Sequence, residues 1–186
     1  SFTGDGTSGI YIYGAQLEQN SFSTSYIPTS GASATRNQEL CNNATPVINS
    51  EEGTLYAEIS TKANSEYNRI SLNNGSYVNS VVLDFIDTNQ LYGKVFVGGS
   101  PVATILASGL DIENNNKIAL KYKKNDFSLF VNGIKVGTDL TGAIPIGLNK
   151  LSFNLGGSQP FFGNTKGLKY YPKALADVQL QDLTTL

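Results

Sequence analysis

The chain has 186 residues, 40% of them hydrophobic and 15% charged, with 19 glycines, ten tyrosines, nine phenylalanines and no histidine, tryptophan or methionine. Its formal net charge of −2 removes the electrostatic footprint of a nucleic-acid binder, and the lack of histidine removes every His-dependent triad or dyad and every His-ligated catalytic metal. No run approaches the ~20 apolar residues of a membrane-spanning helix, and Cys41 is the only cysteine, so no intrachain disulfide and no Cys/His zinc site can form.

A chain of this length buries roughly 70% of its unfolded surface as one domain, and its Gly, Tyr, Phe, Asn, Ser and Thr content favours short strands and tight turns. Ile10 and Ile12 alternate with Tyr11 and Tyr13, the period-two pattern of a strand with one buried face, and Gly14 ends the run. Phe22, Tyr26 and Ile27 are apolar anchors in a Ser/Thr-rich stretch, and Pro28 biases Ile27 toward extended geometry. Residues 1–36 therefore read as a junction carrying the last strand of a preceding domain, and residues 37–186 as one sandwich domain. With no methionine at position 1, Ser1 reads as an internal residue of a longer polypeptide whose remainder lies N-terminal. The segments YGAQLE and TSYIPTSGASATR resemble a junction found in bacteriophage tail-fibre and related surface proteins, although Tyr13 stands where those junctions often carry Trp.

Strand signals then follow at short intervals: Gln38 to Val47, Thr54 to Ser60, Asn68 to Leu72 closed by Asn73-Asn74-Gly75, and Ser80 to Asp87 with Gln90 to Val97 across Thr88-Asn89. Gly98-Gly99-Ser100-Pro101 is a turn before Val102 to Ala107, and Asp111 to Asn116 is a polar loop. Ile118, Leu120 and Tyr122 alternate with polar and small residues, Asn125-Asp126 turns the chain, and Phe127 to Val131 is the partner strand. Asn132-Gly133 is the strongest turn signal, because both central positions of a type I′ turn need positive φ. Lys150 to Leu155 and Gly167 to Tyr171 complete the strands. Pro172 precedes a helix over about Ala174 to Leu183, with Leu175, Val178, Leu180 and Leu183 as its apolar stripe. The basic run Lys121 to Lys124 reads as a solvated strand face.

Short strands at this spacing with one helix predict an all-β antiparallel sandwich or jelly roll. The C-terminal third, KIALKYKKNDFSLFVNGIKVGT, FNLGG and FFGNTKGLKYYPKALADVQLQDL, resembles the end of a laminin-G-like or pentraxin-like domain of concanavalin A-like fold. Leu129 to Gly133 and Ala174 to Leu180 fall at that family's hairpin and terminal helix, with Ala176 in place of the usual Ser. The resemblance implies a recognition module with a glycan or cell-surface receptor as partner, carried on a virion tail fibre or extracellular surface, in a parent that is a homotrimer; the alternatives are a purely structural fibre module and a carbohydrate-binding module appended to a secreted polysaccharide-degrading enzyme. Lectins, adhesins, structural modules and enzymes all use this sandwich, so function has to be argued from sites.

Catalysis on such a fold calls for two carboxylates on one strand face, as in E-x-D-x-E. No such run exists; Asp84 and Asp87 are three apart and point to opposite faces, and Asp111 with Glu113 lies beside a loop. A non-enzymatic domain without a cofactor is expected. Gly98-Gly99 and Gly156-Gly157 lack the Lys and helix of a phosphate loop and read as turns. Asp111, Glu113, Asn114, Asn115 and Asn116 have the oxygen chemistry of a calcium site, and equally that of a plain polar loop. Sugar binding needs an aromatic face beside amides. Two collections offer it: Tyr67 with Asn68, Asn73, Asn74 and Tyr77, and Gln159, Phe161, Phe162 and Asn164 after Pro160. Edge packing of the sandwich is the alternative for both, and Tyr56, Tyr92, Tyr122 and Phe130 read as core or sheet surface.

Overall fold

The computed structural model describes residues 6–7, 9, 11, 13–18, 25–35, 47–61, 68–86 and 89–186. The chain separates into two compact units, residues 1–37 and 38–186. In the first, Gln16 joins two stretches: its Oε1 accepts the Ile27 N–H at 2.7 Å, and its Nε2 donates to the Ser25 carbonyl and to Glu18. The Tyr13 and Tyr26 rings meet at 5.8 Å between centroids. The expected strand over residues 10–13 is not seen at its described positions, where Tyr11 and Tyr13 are exposed and unpaired; Ile10, Ile12 and Phe22 lie outside the described residues.

The second unit is an all-β antiparallel sandwich of jelly-roll type. Its strands are β1 (Glu52–Thr61), β2 (Asn68–Asn73), β3 (Ser80–Ile86), β4 (Gln90–Val97), β5 (Ser100–Ser108), β6 (Asn116–Lys123), β7 (Phe127–Val131), β8 (Ile134–Asp139), β9 (Lys150–Ser152) and β10 (Gly163–Tyr171). A helix follows, α1 (Asp177–Thr184). The first sheet has the order β10-β1-β6-β7-β8 and the second β5-β4-β3-β2-β9, with antiparallel pairing throughout.

Period-two alternation builds the core. Leu55, Ala57 and Ile59 of β1, Ile118, Leu120 and Tyr122 of β6, and Phe127, Leu129 and Val131 of β7 form the inner side of the first sheet. They face Ile70, Leu72, Val81, Leu83, Phe85, Leu91, Val95 and Ile105 of the second. Each large apolar side chain so buried contributes about 1.5–3 kcal/mol. The β7–β8 turn has φ +50° at Asn132 and +80° at Gly133, the type I′ geometry expected of Asn-Gly. The Asn132 Oδ1 accepts the Lys117 N–H at 2.9 Å, and the Gly133 N–H donates to Thr184 Oγ1 at 3.2 Å, so the turn also seats the end of α1.

Four expectations are corrected here. The strand expected at Lys150 to Leu155 stops at Ser152, because the chain then turns through an isolated Leu155–Ser158 bridge. The helix begins at Asp177, since Ala176 is still extended and its N–H donates to Gln179 Oε1 at 3.0 Å. Val178 is 69% exposed and faces away from the sheet, leaving Leu175, Leu180 and Leu183 as the packed stripe. Lys121 is buried, not solvated, with Nζ 2.8 Å from Asp126 and 3.4 Å from Asp177. Of the strand expected at Gln38 to Val47, residues 38–46 lie outside the described residues, and Val47 is exposed and not in a strand.

Candidate functional site

The two sheets differ on their outer sides. On the first sheet, α1 lays Leu180 into a small apolar cluster with Tyr56, Ala119 and Phe130, flanked by Tyr171, Leu175 and Leu183. Beside it the Tyr56 hydroxyl is pushed up to about 12 by burial and by Glu58, 3.4 Å away. The Glu58 carboxyl is held below its usual range by its hydrogen bond to Lys166 and a second from Asn115. That face is occupied by the protein itself.

The outer side of the second sheet carries no helix. Cross-strand register places Arg69, Asp84, Tyr92 and Leu106 in one row over β2, β3, β4 and β5, with Ser71, Val82, Lys94 and Thr104 in the next. Asp84 is fully buried and held by two cations. Arg69 Nε reaches Oδ1 at 2.7 Å and Arg69 Nη2 reaches Oδ2 at 3.0 Å, a bidentate fork, while Lys94 Nζ reaches Oδ2 at 2.7 Å. Lys94 Nζ also sits 4.5 Å from the centroid of the Tyr92 ring, at cation–π range. Arg69 Nη1 donates in addition to Gln159 Oε1.

One half of this face is covered. The segment 153–162 crosses β2: Ser71 Oγ donates to the Asn154 carbonyl at 2.5 Å, and Gln159, at φ +57°, turns its side chain onto Arg69. Gly156 makes this possible, since at φ +61° a Cβ there would lie 2.7 Å from the Tyr77 backbone nitrogen. The other half is open: Tyr92, Lys94 and Phe96 are half-buried, and Thr104 and Leu106 are exposed. Aromatic rings, an aliphatic side chain, a lysine ammonium and a threonine hydroxyl thus share one strip.

The residues expected to bind are dispersed. Tyr67 lies outside the described residues. Asn73 is buried in the strand network, donating to Ser71 Oγ at 2.8 Å and Ser152 Oγ at 3.2 Å and accepting the Gly75 N–H at 2.8 Å. Asn74 is exposed and shapes its turn by accepting from Ser76. Asn68 is buried and accepts the Phe162 N–H at 2.8 Å. Phe161 packs on the core, with its ring 6.2 Å from Phe85 and 6.1 Å from Phe153. Asn164 lies on β10, opposite Ser60, in the other sheet. Tyr77 and Phe162 are exposed by 53% and 43%, and Gln159 reaches the charged network.

Arg69 and Lys94 are not among the residues expected to bind, and Asp84 and Tyr92 were expected in other roles, although one signal joins them: each is a charged or aromatic residue at an outward position of a strand whose inward positions are mostly apolar. Asp84 has no carboxylate of its own strand beside it, and Asp87 lies outside the described residues. In the Asp111 loop the side-chain oxygens of Asp111 accept from Glu113 N, Asn114 N and Asn114 Nδ2, while Asn116 Nδ2 donates to the carbonyls of Asp111 and Asn114. Among the described residues no group of three or more His, Cys, Asp or Glu is placed to hold a metal ion. No helix among them is long and apolar enough to cross a membrane.

No family model matches the sequence, and no curated protein matches it. Solved structures do. The CBM40 of a Ruminococcus gnavus IT-sialidase bound to alpha2,3 sialyllactose superposes with a TM-score of 0.63 at 21% identity, over 73% of this chain and 84% of that one. A leech intramolecular trans-sialidase matches at 0.61 and 17% identity, over 74% of this chain and 24% of that larger one. Domain 4 of AbnA, a GH43 extracellular arabinanase of Geobacillus stearothermophilus, in complex with arabinotriose, matches at 0.51 and 12% identity, over 76% and 70%. At these identities the likeness is one of fold alone, a two-sheet antiparallel β-sandwich with a short C-terminal helix.

Proposed function

We propose that this chain is a non-catalytic carbohydrate-binding module and that it takes its glycan on the open outer face of the second sheet, over Tyr92, Lys94, Phe96, Thr104 and Leu106. The observation that carries the reading is the asymmetry of the sandwich. One outer face carries α1 packed over β6, β7 and β8, while the other carries no helix and leaves aromatic and polar side chains open beside a rigid charge network. Sugar rings are bound by such a combination, apolar C–H faces on aromatic rings and hydroxyls on fixed polar groups. Two of the similar structures were obtained with sialyllactose or arabinotriose, which supports the same class of ligand.

The setting these likenesses support is a module appended to an extracellular glycan-active enzyme. A tail-fibre or adhesin parent is the second setting, favoured by the YGAQLE to SYIPTSGASATR stretch; there the module contacts a cell-surface receptor as part of a homotrimer. The fold carries no coiled-coil repeat to impose a trimer, so the isolated chain is expected to be monomeric by light scattering at micromolar concentration. A glycan array tests the binding reading itself. The chain is expected to bind a subset of glycans, with Tyr92→Ala weakening the best of them roughly tenfold at unchanged Tm, as for a central aromatic contact. An array with no bound glycan, or binding indifferent to Tyr92, contradicts it.

A further inference from the structure

The charges of the second sheet are few and of one dominant sign. Its five strands contain Arg69, Lys94 and Lys150 against the single carboxylate of Asp84, in a chain whose net charge is −2. All four occupy outward-facing register positions: Arg69 pairs with Asp84, Lys94 with Val82, and Lys150 with Asn73. Of the segments that border the face, 74–79, 98–99 and 153–162 contain no acidic residue, while the 87–89 segment joining β3 to β4 contains Asp87. One buried carboxylate is neutralised by one cation, and the Arg69 fork already supplies it at 2.7 and 3.0 Å. Lys94 is therefore charge in excess. Of its three ammonium donors one goes to Asp84, and its side chain retains 18% of its exposure on the open half of the strip.

Resting on the reading of this face as the glycan-binding face, we propose that the module selects glycans bearing an oxyanion, a carboxylate or a sulfate, and that Lys94 is the side chain that meets it. Asp84 is the positioning residue: it fixes the ammonium over the strip in place of a mobile lysine, so little rotamer entropy remains to be lost when ligand arrives. Arg69 holds Asp84 from the covered side and is itself held by Gln159. The Tyr92 ring under the ammonium is the adjacent platform for the sugar that carries the anion.

The test is an array of matched neutral, carboxylated and sulfated glycans on common backbones, probed with the intact chain at low salt and at 0.5 M salt. Binding is expected to concentrate on the acidic members and to fall steeply with salt. Lys94→Gln should lower binding to them about tenfold, the loss typical of a hydrogen bond to a charged group. Lys94→Arg, which keeps the cation, should retain acidic binding and keeps the test open if the glutamine variant fails to fold. Preference for carboxylated or for sulfated members decides which oxyanion is the ligand's. Equal binding of neutral and acidic members overturns the proposal while leaving the glycan reading intact, whereas binding of none overturns both.

Discussion

The two outer faces of the sandwich are made from similar strands and are finished by opposite means. Over the first sheet, apolar Tyr56, Ala119 and Phe130 are covered by Leu180 from α1, and the charges around them are mixed: Lys121 and Lys135 meet Asp177, and Lys166 meets Glu58. Over the second, the buried outward residues are polar except for Val82, the strand charge is predominantly positive, and the cover is a loop that reaches only part of the way. A face closed by hydrophobic burial is stable and chemically mute. A face closed by one buried carboxylate under two cations holds side chains in fixed positions while leaving some of them open to a ligand, which is what a binding surface requires.

Substitutions that act on one face alone sharpen that contrast. Asp84→Ala should have the largest effect, about 4 kcal/mol of lost stability, because it strands two partly buried cations without their counter-charge; urea unfolding measures it, and glycan binding should fall with it. Leu180→Ala should cost about 3 kcal/mol by opening a cavity under α1, yet leave binding unchanged once the variant is measured below its lowered Tm. Loss of binding in that variant would join the two faces that the account separates. Gly133→Val should cost about 2 kcal/mol, since a β-branched residue at φ +80° is strained and its Cβ would lie 3.2 Å from Thr185 Oγ1. The smallest effect is expected of Asp177→Asn. Its carboxyl is held below the ordinary 3.8 by hydrogen bonding to Lys135, so its contribution is present above that value and is lost as pH falls through the depressed one. Being half exposed and screened, it should be worth about 0.5 kcal/mol at pH 7 and nothing near pH 2, as thermal melts at both pH values will show.

What could be read from the sequence follows the same division. The Asn132-Gly133 hairpin, the alternation of Ile118, Leu120 and Tyr122, and Leu180 of the terminal helix were legible because each is a local pattern with one physical solution. Phe161 was not, because an aromatic pair after a proline gives no sign that one ring turns inward to Phe85 and Phe153 while Phe162 stays out. The charged network was hidden for a different reason. Arg69, Asp84 and Lys94 are 15 and ten residues apart, and only antiparallel register with β3 between β2 and β4 brings them onto one carboxylate. In the sequence Asp84 stands only three residues from Asp87 and off its face, with nothing to show that its partners are cations on neighbouring strands.

The central claim, that the open outer face of the second sheet is where ligand binds, is tested most directly by amide chemical-shift perturbation on the intact chain, using a glycan selected from the array. The account predicts that the shifts cluster on Arg69, Asp84, Tyr92, Lys94, Thr104, Leu106 and Gln159, with α1 and the outer side of the first sheet unmoved. Shifts confined to β10, to α1 or to the Asp111 to Asn116 loop would place the site elsewhere and contradict it.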